Sequence, residues 1–254
     1  MNVEGCGVLV TGGGSGLGEA TARLFAQRGA KVAILDFDAE RGQKVADEIG
    51  GFFARVDVSD SDNVEVALKD IVAAFGEAPR VVVNCAGVGF AKRIVGREGK
   101  LSLDLFDKVI RVNLYGSYNV MSYAAQAMMA LEPMENGERG VIINTSSAAY
   151  QDGQVGQSAY AASKGAISAI SLPAAREFAQ SAIRVMAIAP GLFGTPMMES
   201  LPEEVTSAII KNIPFPARLG TPEEYALMAA QIVENAYLNG TTIRLDGATR
   251  LPQR

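Results

Sequence analysis

A tyrosine and a lysine stand four residues apart in the segment Tyr160-Ala-Ala-Ser-Lys164, a pairing of side chains that can move a proton. If the segment is helical, both side chains lie on one face, one turn apart. A free tyrosine titrates near pH ~10, and a nearby cation stabilises its phenolate. We therefore expect Lys164 to lower the pKa of Tyr160, so that the phenol exchanges a proton with an alcohol or ketone oxygen.

Two further polar residues stand where they can join this pair. Ser147 follows a predicted strand, Glu138–Thr145, and lies 13 residues before Tyr160. A strand-end serine and a helix tyrosine can converge on one crevice, where both hydroxyls hydrogen-bond the substrate oxygen. Asn113 lies inside a predicted helix over residues 103–130, where an asparagine can mark a local departure from helical hydrogen bonding.

The chain contains no histidine. A serine–histidine–aspartate triad and a histidine-bound metal are therefore excluded. The two cysteines, Cys6 and Cys85, form no spaced metal pair and no disulfide framework. Proton transfer must then use tyrosine, lysine, serine, asparagine or carboxylate groups, and we expect no metal.

A glycine-rich turn lies between the first predicted strand, Gly7–Thr11, and the first predicted helix. Its sequence is Gly12-Gly-Gly-Ser-Gly-Leu-Gly18. Glycines permit a positive φ and let the backbone approach a pyrophosphate, while the N-terminus of the following helix supplies N–H donors. The turn therefore predicts a dinucleotide site, although its spacing differs from GxGxxG.

The second predicted strand, Lys31–Asp36, ends in a carboxylate 18 residues after Gly18. A carboxylate at this place accepts hydrogen bonds from both hydroxyls of an adenosine ribose and repels a 2′-phosphate. Phe37 and Asp38 follow it, so no cation directly follows to bind that phosphate. The sequence therefore predicts NAD rather than NADP.

Short apolar runs alternate with helical patterns along the chain. Further strands are predicted at residues 52–56, 80–84, 138–145, 183–189 and 241–245. Further helices are predicted at 62–76, 103–130, 157–180 and 222–236. Pro173 should kink the third of these or break its hydrogen bonding. The alternation implies right-handed crossovers and a parallel sheet, with ligands at the carboxyl ends of the strands, where Asp57 and Asn84 also fall.

We therefore predict an α/β fold: one Rossmann-like, doubly wound domain over residues 1–254, with a seven-stranded, mostly parallel sheet flanked by helices. The dinucleotide-binding half spans about 1–150, and the catalytic and substrate-binding segments span about 140–254. Residues 89–102 are predicted as a long basic loop, either solvated or in contact with an acidic part of a substrate. Residues 197–220 are predicted as a mobile flap over the substrate.

The charge balance argues against nucleic-acid and membrane partners. The formal net charge is -5 and no long basic run occurs, so the electrostatic footprint for nucleic acid or an anionic membrane is missing. The apolar runs are too short to span a bilayer, and the N-terminal stretch resembles neither a signal nor a transit peptide. We expect a reducing, cytoplasmic location.

Taken together, these features resemble the short-chain dehydrogenases/reductases. The matching residues are Thr11-Gly12-x-x-x-Gly16-x-Gly18, Asn84-Cys-Ala-Gly87, Asn113, Ser147, Tyr160-x-x-x-Lys164 and Pro190-Gly191. Cys85 is a mild departure, because the family often has asparagine or another small residue there. Longer runs, such as Arg139–Thr145, Gly153–Gln157 and Ile188–Pro196, resemble the branch that acts on 3-hydroxyacyl-CoA thioesters.

The resemblance implies a role for each matching residue. Tyr160 would be the acid/base, and Lys164 would lower its pKa and bind the nicotinamide ribose. Ser147 would orient the substrate oxygen beside Tyr160, and Asn113 would hold a water in a proton relay. The other positions would line the cofactor: Gly12, Ser15, Gly16, Leu17, Gly18, Asp36, Asp57, Val58, Asn84, Cys85, Ala86, Gly87, Pro190, Gly191, Phe193 and Thr195.

The resemblance also implies NAD-dependent interconversion of a secondary alcohol and a ketone, with a short or branched 3-hydroxyacyl-CoA as substrate. It further implies a place in fatty acid metabolism and a homotetramer. Three alternatives stay open: a dehydrogenase of another secondary alcohol, such as a steroid or aryl carbinol; an NADPH-dependent 3-oxoacyl carrier-protein reductase; and a non-enzymatic NAD-binding scaffold. Against the reductase, Gly13, Gly14 and Phe37 occupy positions where a cation for the 2′-phosphate is expected.

Overall fold

A parallel sheet of seven strands forms the centre of the molecule in a computed structural model that describes residues 1–199 and 210–253. The strands are β1 Gly7–Thr11, β2 Lys31–Asp36, β3 Phe52–Arg55, β4 Val81–Asn84, β5 Gly140–Thr145, β6 Ile183–Pro190 and β7 Thr242–Leu245. Their spatial order is β3-β2-β1-β4-β5-β6-β7, and every neighbouring pair is parallel. The predicted α/β, doubly wound fold is confirmed.

Helices cover both faces of this sheet. They are α1 Gly16–Gln27, α2 Ala39–Ile49, α3 Ser61–Phe75, α4 Leu103–Ile110, α5 Gly116–Met128, α6 Ala149–Asp152, α7 Ser158–Phe178, α8 Pro196–Glu199 and α9 Pro222–Glu234. A π-helical turn, Arg111–Tyr115, joins α4 to α5, and a 3₁₀ turn, Ala179–Ser181, follows α7. Among the described residues, no helix combines the length and apolarity needed to cross a membrane.

The apolar core divides into two clusters, one on each side of the sheet. Val8 and Val10 of β1 point into one cluster, while Leu9 between them points into the other. The same alternation holds for Val82 and its neighbours in β4. Strands buried on both faces need continuous apolar sequence, which explains the runs from which the strands were predicted.

Helix boundaries follow from local capping chemistry. Asp60 precedes α3 and accepts hydrogen bonds from the amides of Asp62 and Asn63, and Gly76 ends the helix in the left-handed region. Helix α9 begins at Pro222, with reciprocal capping between Thr221 and Glu224. These caps fix where each helix starts relative to the strand before it.

Two predicted helices differ in detail. The predicted helix 103–130 is divided by the π-helical turn at Asn113, which confirms the predicted departure from helical bonding. Pro173 lies inside α7 and, having no N–H, removes one helical hydrogen bond as predicted, yet the helix continues to Phe178. Ala174 and Ala175, which directly follow the proline, are buried in the core, and this packing holds the segment helical.

The basic segment 89–102 is a loop, as predicted, and a few backbone hydrogen bonds hold it in place. Val95 and Leu101 form an antiparallel bridge, and the Gly96 amide donates to the Lys100 carbonyl at 2.9 Å. The Lys92 amide donates to the Gly156 carbonyl at 2.8 Å, just before α7. Of the predicted flap 197–220, residues 200–209 lie outside the described residues.

Candidate active site

The candidate site lies at the carboxyl edge of the sheet, between β1 and β4. Strand order reverses there, since β2 lies on one side of β1 and β4 on the other. In open parallel sheets the crevice at such a switch point is where ligands bind. Most residues singled out from the sequence lie at the carboxyl ends of β1 to β6 or directly after them, while Asn113 lies in the π-helical turn and Tyr160 and Lys164 lie in α7.

The turn between β1 and α1 requires its glycines. Gly12 has φ +65°, and a Cβ there would lie 2.8 Å from the Ala86 amide nitrogen. A Cβ on Gly18 would overlap the Gly12 carbonyl oxygen. Ser15 caps α1 without using its side chain in a capping bond, and Gly16 faces Thr195, whose Cγ2 would be 3.5 Å from a Cβ there.

This turn meets the condition for a pyrophosphate cradle. Bare backbone faces the crevice at Gly12 and Gly16, because a side chain at either place would be strained or would fill the space. The first amides of α1 present N–H donors beside it. Leu17 instead packs its side chain against the core, so contact with a cofactor there falls to its backbone.

Asp36 lies half-buried at the end of β2. Its Oδ2 accepts a hydrogen bond from the Gly14 amide at 2.8 Å, and its Oδ1 accepts one from the Asp38 amide at 2.9 Å. The carboxylate is thereby held beside the glycine turn. Arg55 lies opposite Asp36 in the register of β3 against β2. Its guanidinium lies 5.3 Å from the Phe37 ring centroid. Sequence reasoning missed this cation because it lies across the sheet and not along the chain.

Asp57 and Val58 follow β3. Asp57 Oδ1 accepts hydrogen bonds from the amide and hydroxyl of Ser59, at 2.9 and 2.7 Å. Val58 is buried against Gly116, and its carbonyl accepts from Asn119 at 3.0 Å. Val58 is therefore tied to the start of α5, while Asp57 is held within its own loop.

Asn84 belongs to a buried polar network at the end of β4. Its Nδ2 donates to Asn144 Oδ1 at 2.8 Å, and Thr11 Oγ1 lies 3.5 Å from its Oδ1. Thr11 Oγ1 also accepts a hydrogen bond from the Ala86 amide at 3.1 Å. The side chain of Asn84, 2% exposed, thus positions the Cys85–Gly87 backbone from beneath.

Lys164 is deeply buried, with 5% of the residue exposed. Its Nζ donates a hydrogen bond to the backbone oxygen of Thr145 at 2.7 Å and lies 5.8 Å from the Tyr160 ring centroid. Burial disfavours the ammonium form and lowers the pKa of Lys164 to about 8. At Gly87 a Cβ would lie 3.6 Å from this Nζ, so the glycine leaves the ammonium open toward the crevice.

The pKa of Tyr160 is raised, contrary to the expectation from its spacing to Lys164. Burial disfavours the phenolate, and a hydrogen bond with Ser147 only partly opposes this. The ammonium of Lys164 points to the Thr145 carbonyl and sits over the ring. The predicted proximity of Tyr160, Lys164 and Ser147 is present, but the direction of the pKa shift was wrong.

Asn113 is fully buried in the π-helical turn. Its side chain bridges both backbone groups of Val88: Oδ1 accepts from the amide at 2.8 Å, and Nδ2 donates to the carbonyl at 3.0 Å. Nδ2 also lies 3.0 Å from Ser163 Oγ on α7, and the Asn113 carbonyl accepts from Ser117 Oγ at 2.8 Å. Asn113 therefore connects the loop after β4 to the helix of Tyr160.

The segment after β6 completes the crevice. The Gly191 amide donates to the Leu245 carbonyl at 2.9 Å, and a Cβ on Gly191 would lie 2.7 Å from Asp246 Cβ. Pro190 ends β6 and is buried. Phe193 is 6% exposed and packs into the core, so its backbone and not its ring faces a ligand. Thr195, by contrast, faces Gly16 of the glycine turn.

Comparison with known proteins agrees with this geometry. The family model described as short chain dehydrogenase matches residues 7–206. The chain belongs to this family. It is 46% identical over 254 residues to the 3-hydroxyacyl-CoA dehydrogenase type-2 of Homo sapiens, covering 98% of this chain and 97% of that protein.

Two further members illustrate the range of the short-chain dehydrogenase family. The crystal structure of 3-hydroxyacyl-CoA dehydrogenase type-2 from Mycobacterium avium superposes with a TM-score of 0.93 at 42% identity, covering 99% of this chain and 98% of that one. The ipsdienol dehydrogenase of Ips pini is 36% identical over 246 residues, covering 95% of this chain and 96% of that protein. The chain is thus an oxidoreductase with a nicotinamide cofactor.

Three residues that support this short-chain dehydrogenase site were given no role from the sequence: Thr11, Thr145 and Tyr225. Thr11 and Thr145 end apolar strands, and a hydroxyl at the end of a buried strand is a signal that sequence alone offered. Tyr225 in α9 lies with its hydroxyl 2.6 Å from Thr145 Oγ1. Its position in an amphipathic helix carried no such signal, because core tyrosines there are common.

Both cysteines are free thiols. Cys6 is buried and Cys85 is half-buried beside Thr145 and Tyr225. Burial raises the pKa of both thiols. Cys85 adds its backbone to the crevice, since its amide donates to the Thr11 carbonyl at 3.1 Å, and its sulfur lies 3.7 Å from the Tyr225 hydroxyl on α9.

Proposed function

We propose that the chain is an NAD-dependent dehydrogenase that interconverts a 3-hydroxyacyl-CoA and a 3-oxoacyl-CoA in fatty acid metabolism. The proposed reaction type rests on one observation, the convergence of Ser147, Tyr160 and Lys164 beside the glycine turn. The substrate class rests on near full-length similarity to relatives that carry the name 3-hydroxyacyl-CoA dehydrogenase type-2.

Proton transfer falls to Tyr160. Its raised pKa keeps the phenol protonated near neutral pH, and this is the form that gives a proton to a ketone oxygen. Ser147, hydrogen-bonded to the same phenol, orients that oxygen. Lys164 holds a positive charge at the edge of the crevice and binds the nicotinamide ribose, while Asn113 anchors the loop opposite and holds the water of the relay.

The nicotinamide cofactor supplies the hydride chemistry when bound. Ser15 and the first amides of α1, at Gly16, Leu17 and Gly18, would hold its pyrophosphate. Gly12 contributes by shaping the turn, because its own amide donates to the Leu35 carbonyl at 2.7 Å. Asp36 faces the adenosine ribose, and its negative charge favours NAD over NADP. The remaining cofactor contacts are those predicted from the sequence: Asp57, Val58, Asn84, Cys85, Ala86, Gly87, Pro190, Gly191, Phe193 and Thr195. Asn84 acts through the backbone it supports.

The CoA moiety is assigned to the basic segment 89–102. Its four cations are exposed, and no ion pair among the described residues includes them: Lys92, Arg93, Arg97 and Lys100. The segment is tied to Gly156 just before α7, so it borders the catalytic tyrosine. Unpaired cations there attract the CoA phosphates.

We also propose a homotetramer and a cytoplasmic location. Large apolar side chains are exposed on α4 and α5 and on the π-helical turn between them: Leu103, Phe106, Tyr115 and Tyr118. An exposed apolar face of this kind is typical of an interface between subunits. The free thiols and the absence of disulfides among the described residues fit a reducing compartment. A membrane or nucleic-acid partner is not part of the proposal.

The first experiment measures initial rates of NADH and NADPH oxidation with acetoacetyl-CoA at pH 7. Turnover with NADH at least tenfold faster than with NADPH is the expected result. Tyr160→Phe should abolish turnover and leave NADH binding intact, as measured by NADH fluorescence. Turnover retained in Tyr160→Phe refutes the acid/base assignment.

The CoA assignment has its own variant. Replacing Lys92, Arg93, Arg97 and Lys100 by glutamine should raise KM for acetoacetyl-CoA about tenfold and leave small ketones unaffected. The matched control makes the same charge change at four other exposed cations: Lys31, Lys44, Lys69 and Arg176. If KM rises equally for acetoacetyl-CoA and for small ketones, or if the control variant raises it equally, segment 89–102 does not bind CoA.

A second candidate is a dehydrogenase of another secondary alcohol. The observation that favours it is the 36% identity to the ipsdienol dehydrogenase of Ips pini, which acts on a different alcohol by its name. If the protein shows no turnover with acetoacetyl-CoA but reduces a small or steroid ketone with NADH, this second candidate is supported.

A further inference from the structure

Tyr225 brings a buried hydroxyl from α9 to the end of β5. The residue is 0% exposed and is among the largest fully buried side chains in the described part of the chain. Its hydroxyl oxygen lies 2.6 Å from Thr145 Oγ1, a short and therefore well-formed hydrogen bond between residues 80 positions apart. Tyr225 is the residue through which α9 reaches the site.

Thr145 is also the residue that holds the ammonium of Lys164. Its side-chain oxygen bonds Tyr225, and its backbone oxygen accepts from Lys164 Nζ at 2.7 Å. A buried ammonium needs acceptors placed for it, because few other groups compensate the loss of water. The position of this one carbonyl therefore decides where the charge of Lys164 sits.

Helix α9, which carries Tyr225, is positioned mainly by contacts outside the site. Pro222 and the reciprocal cap of Thr221 and Glu224 fix the start of α9, and Arg218 pairs with Glu224. Helix α9 packs against α1, which follows the glycine turn. Cys85 Sγ lies 3.7 Å from both the Tyr225 and Thr145 hydroxyl oxygens, which joins the end of β4 to the same cluster.

We propose that Tyr225 is a positioning residue for Lys164: by bonding Thr145, it fixes the β5 carbonyl that holds the ammonium group. The proposal deepens the proposed function and rests on the role given there to Lys164. Tyr225 itself touches neither substrate nor cofactor. The titratable groups that face Lys164 are Tyr160 on its own helix and Cys85 after β4, with Tyr225 behind Thr145.

Tyr225→Phe tests this, because it keeps the ring and removes the hydroxyl. The pH dependence of kcat/KM for ketone reduction is measured with saturating NADH. Its basic limb reports the loss of the essential proton from the Lys164 ammonium. A looser Thr145 carbonyl stabilises the ammonium less, so the limb should move to lower pH by about half a unit, with kcat about tenfold lower. Tyr123→Phe is the matched control, since it removes a tyrosine hydroxyl bonded to Ser61 on α3 at 3.0 Å.

A second pair of variants approaches the same bond from the other side. Thr145→Val should reproduce the shift, Thr145→Ser should keep the wild-type limb, and Thr145→Val combined with Tyr225→Phe should shift it no further than either alone. If Tyr225→Phe does not fold, Thr145→Val and Thr145→Ser carry the test. A basic limb unchanged in Tyr225→Phe or in Thr145→Val, or moved equally by Tyr123→Phe, overturns the proposal.

The wild-type protein separates this proposal from the proposed function. If wild type reduces other ketones but not acetoacetyl-CoA, the substrate assignment fails and the profiles are recorded with the accepted ketone. If wild type reduces acetoacetyl-CoA and the profiles of all variants coincide with its own, the proposed function stands and the role of Tyr225 fails.

Discussion

Replacing Lys164 by methionine should stabilise the cofactor-free protein while abolishing its activity. The lysine is 5% exposed, and burial lowers its pKa from 10.5 to about 8. At 1.36 kcal/mol per pH unit, this corresponds to about 3 kcal/mol of folding free energy lost by burying the ammonium. Methionine has a similar length and no charge, and it forfeits the hydrogen bond to the Thr145 carbonyl, worth about 1 kcal/mol. The net gain at pH 7 is therefore about 2 kcal/mol.

The sign of the pH dependence follows from the same shift. The folded-state pKa lies below the unfolded one, so between about 8 and 10.5 the unfolded chain binds more protons and wild-type stability rises with pH. Below pH 8 the whole cost of the buried charge is present. At pH 9.5 roughly 1.4 kcal/mol of the cost of burying the ammonium remains. The hydrogen bond that methionine cannot form nearly cancels this remainder. The advantage of Lys164→Met should therefore almost vanish there.

The assay is urea unfolding without cofactor at pH 7.0 and pH 9.5, at one protein concentration. Far-ultraviolet circular dichroism follows it, because the chain has no tryptophan. Lys44→Met is the matched control, since this lysine is exposed and should show no pH-dependent difference from wild type. A variant less stable than wild type at pH 7, or one with the same advantage at both pH values, would refute the account of Lys164.

Three further predictions concern the cofactor site and the fold. Asp36→Asn should narrow the preference for NADH over NADPH in kcat/KM at least tenfold, because it removes the repelling charge while Arg55 remains beside it; an unchanged ratio contradicts this. Gly18→Ala should weaken NADH binding at least tenfold in a fluorescence titration, since its Cβ overlaps the Gly12 carbonyl, and wild-type affinity would be the contrary result. Glu138→Ala should lower the free energy of unfolding by about 3–5 kcal/mol in urea, because Arg184 is buried with this carboxylate; a loss under 1 kcal/mol speaks against it.

Sequence alone predicted the sheet and the groups at its carboxyl edge. Apolar runs bounded by glycine and aspartate marked β1 and β2, and all seven strands lie where they were predicted, within about two residues. Such runs identify strands reliably because a strand that is buried on both faces needs apolar side chains at successive positions. The spacing of Tyr160 and Lys164 correctly placed them on one helix, α7.

The electrostatics of the site could not be predicted in the same way. A four-residue spacing gives the distance between two side chains but not their burial, and burial is what raises the pKa of Tyr160 and lowers that of Lys164. Arg55 beside Asp36 and Tyr225 behind Thr145 are contacts made across the fold. Helix α7 continues past Pro173 for a related reason, because core packing of Ala174 and Ala175 offsets the hydrogen bond that the proline removes.

Neither native cysteine is a ready target for thiol labelling. The thiolate is the group that attacks a thiol-reactive dye, and burial raises the pKa of both thiols, which keeps them protonated near neutral pH. Cys6 is buried, and the sulfur of the half-buried Cys85 lies against Thr145 and Tyr225. A single cysteine introduced at an exposed site, such as Lys44→Cys on α2, should then take a maleimide dye selectively with the native cysteines left in place. Distance measurements on the active protein would need no cysteine-free background.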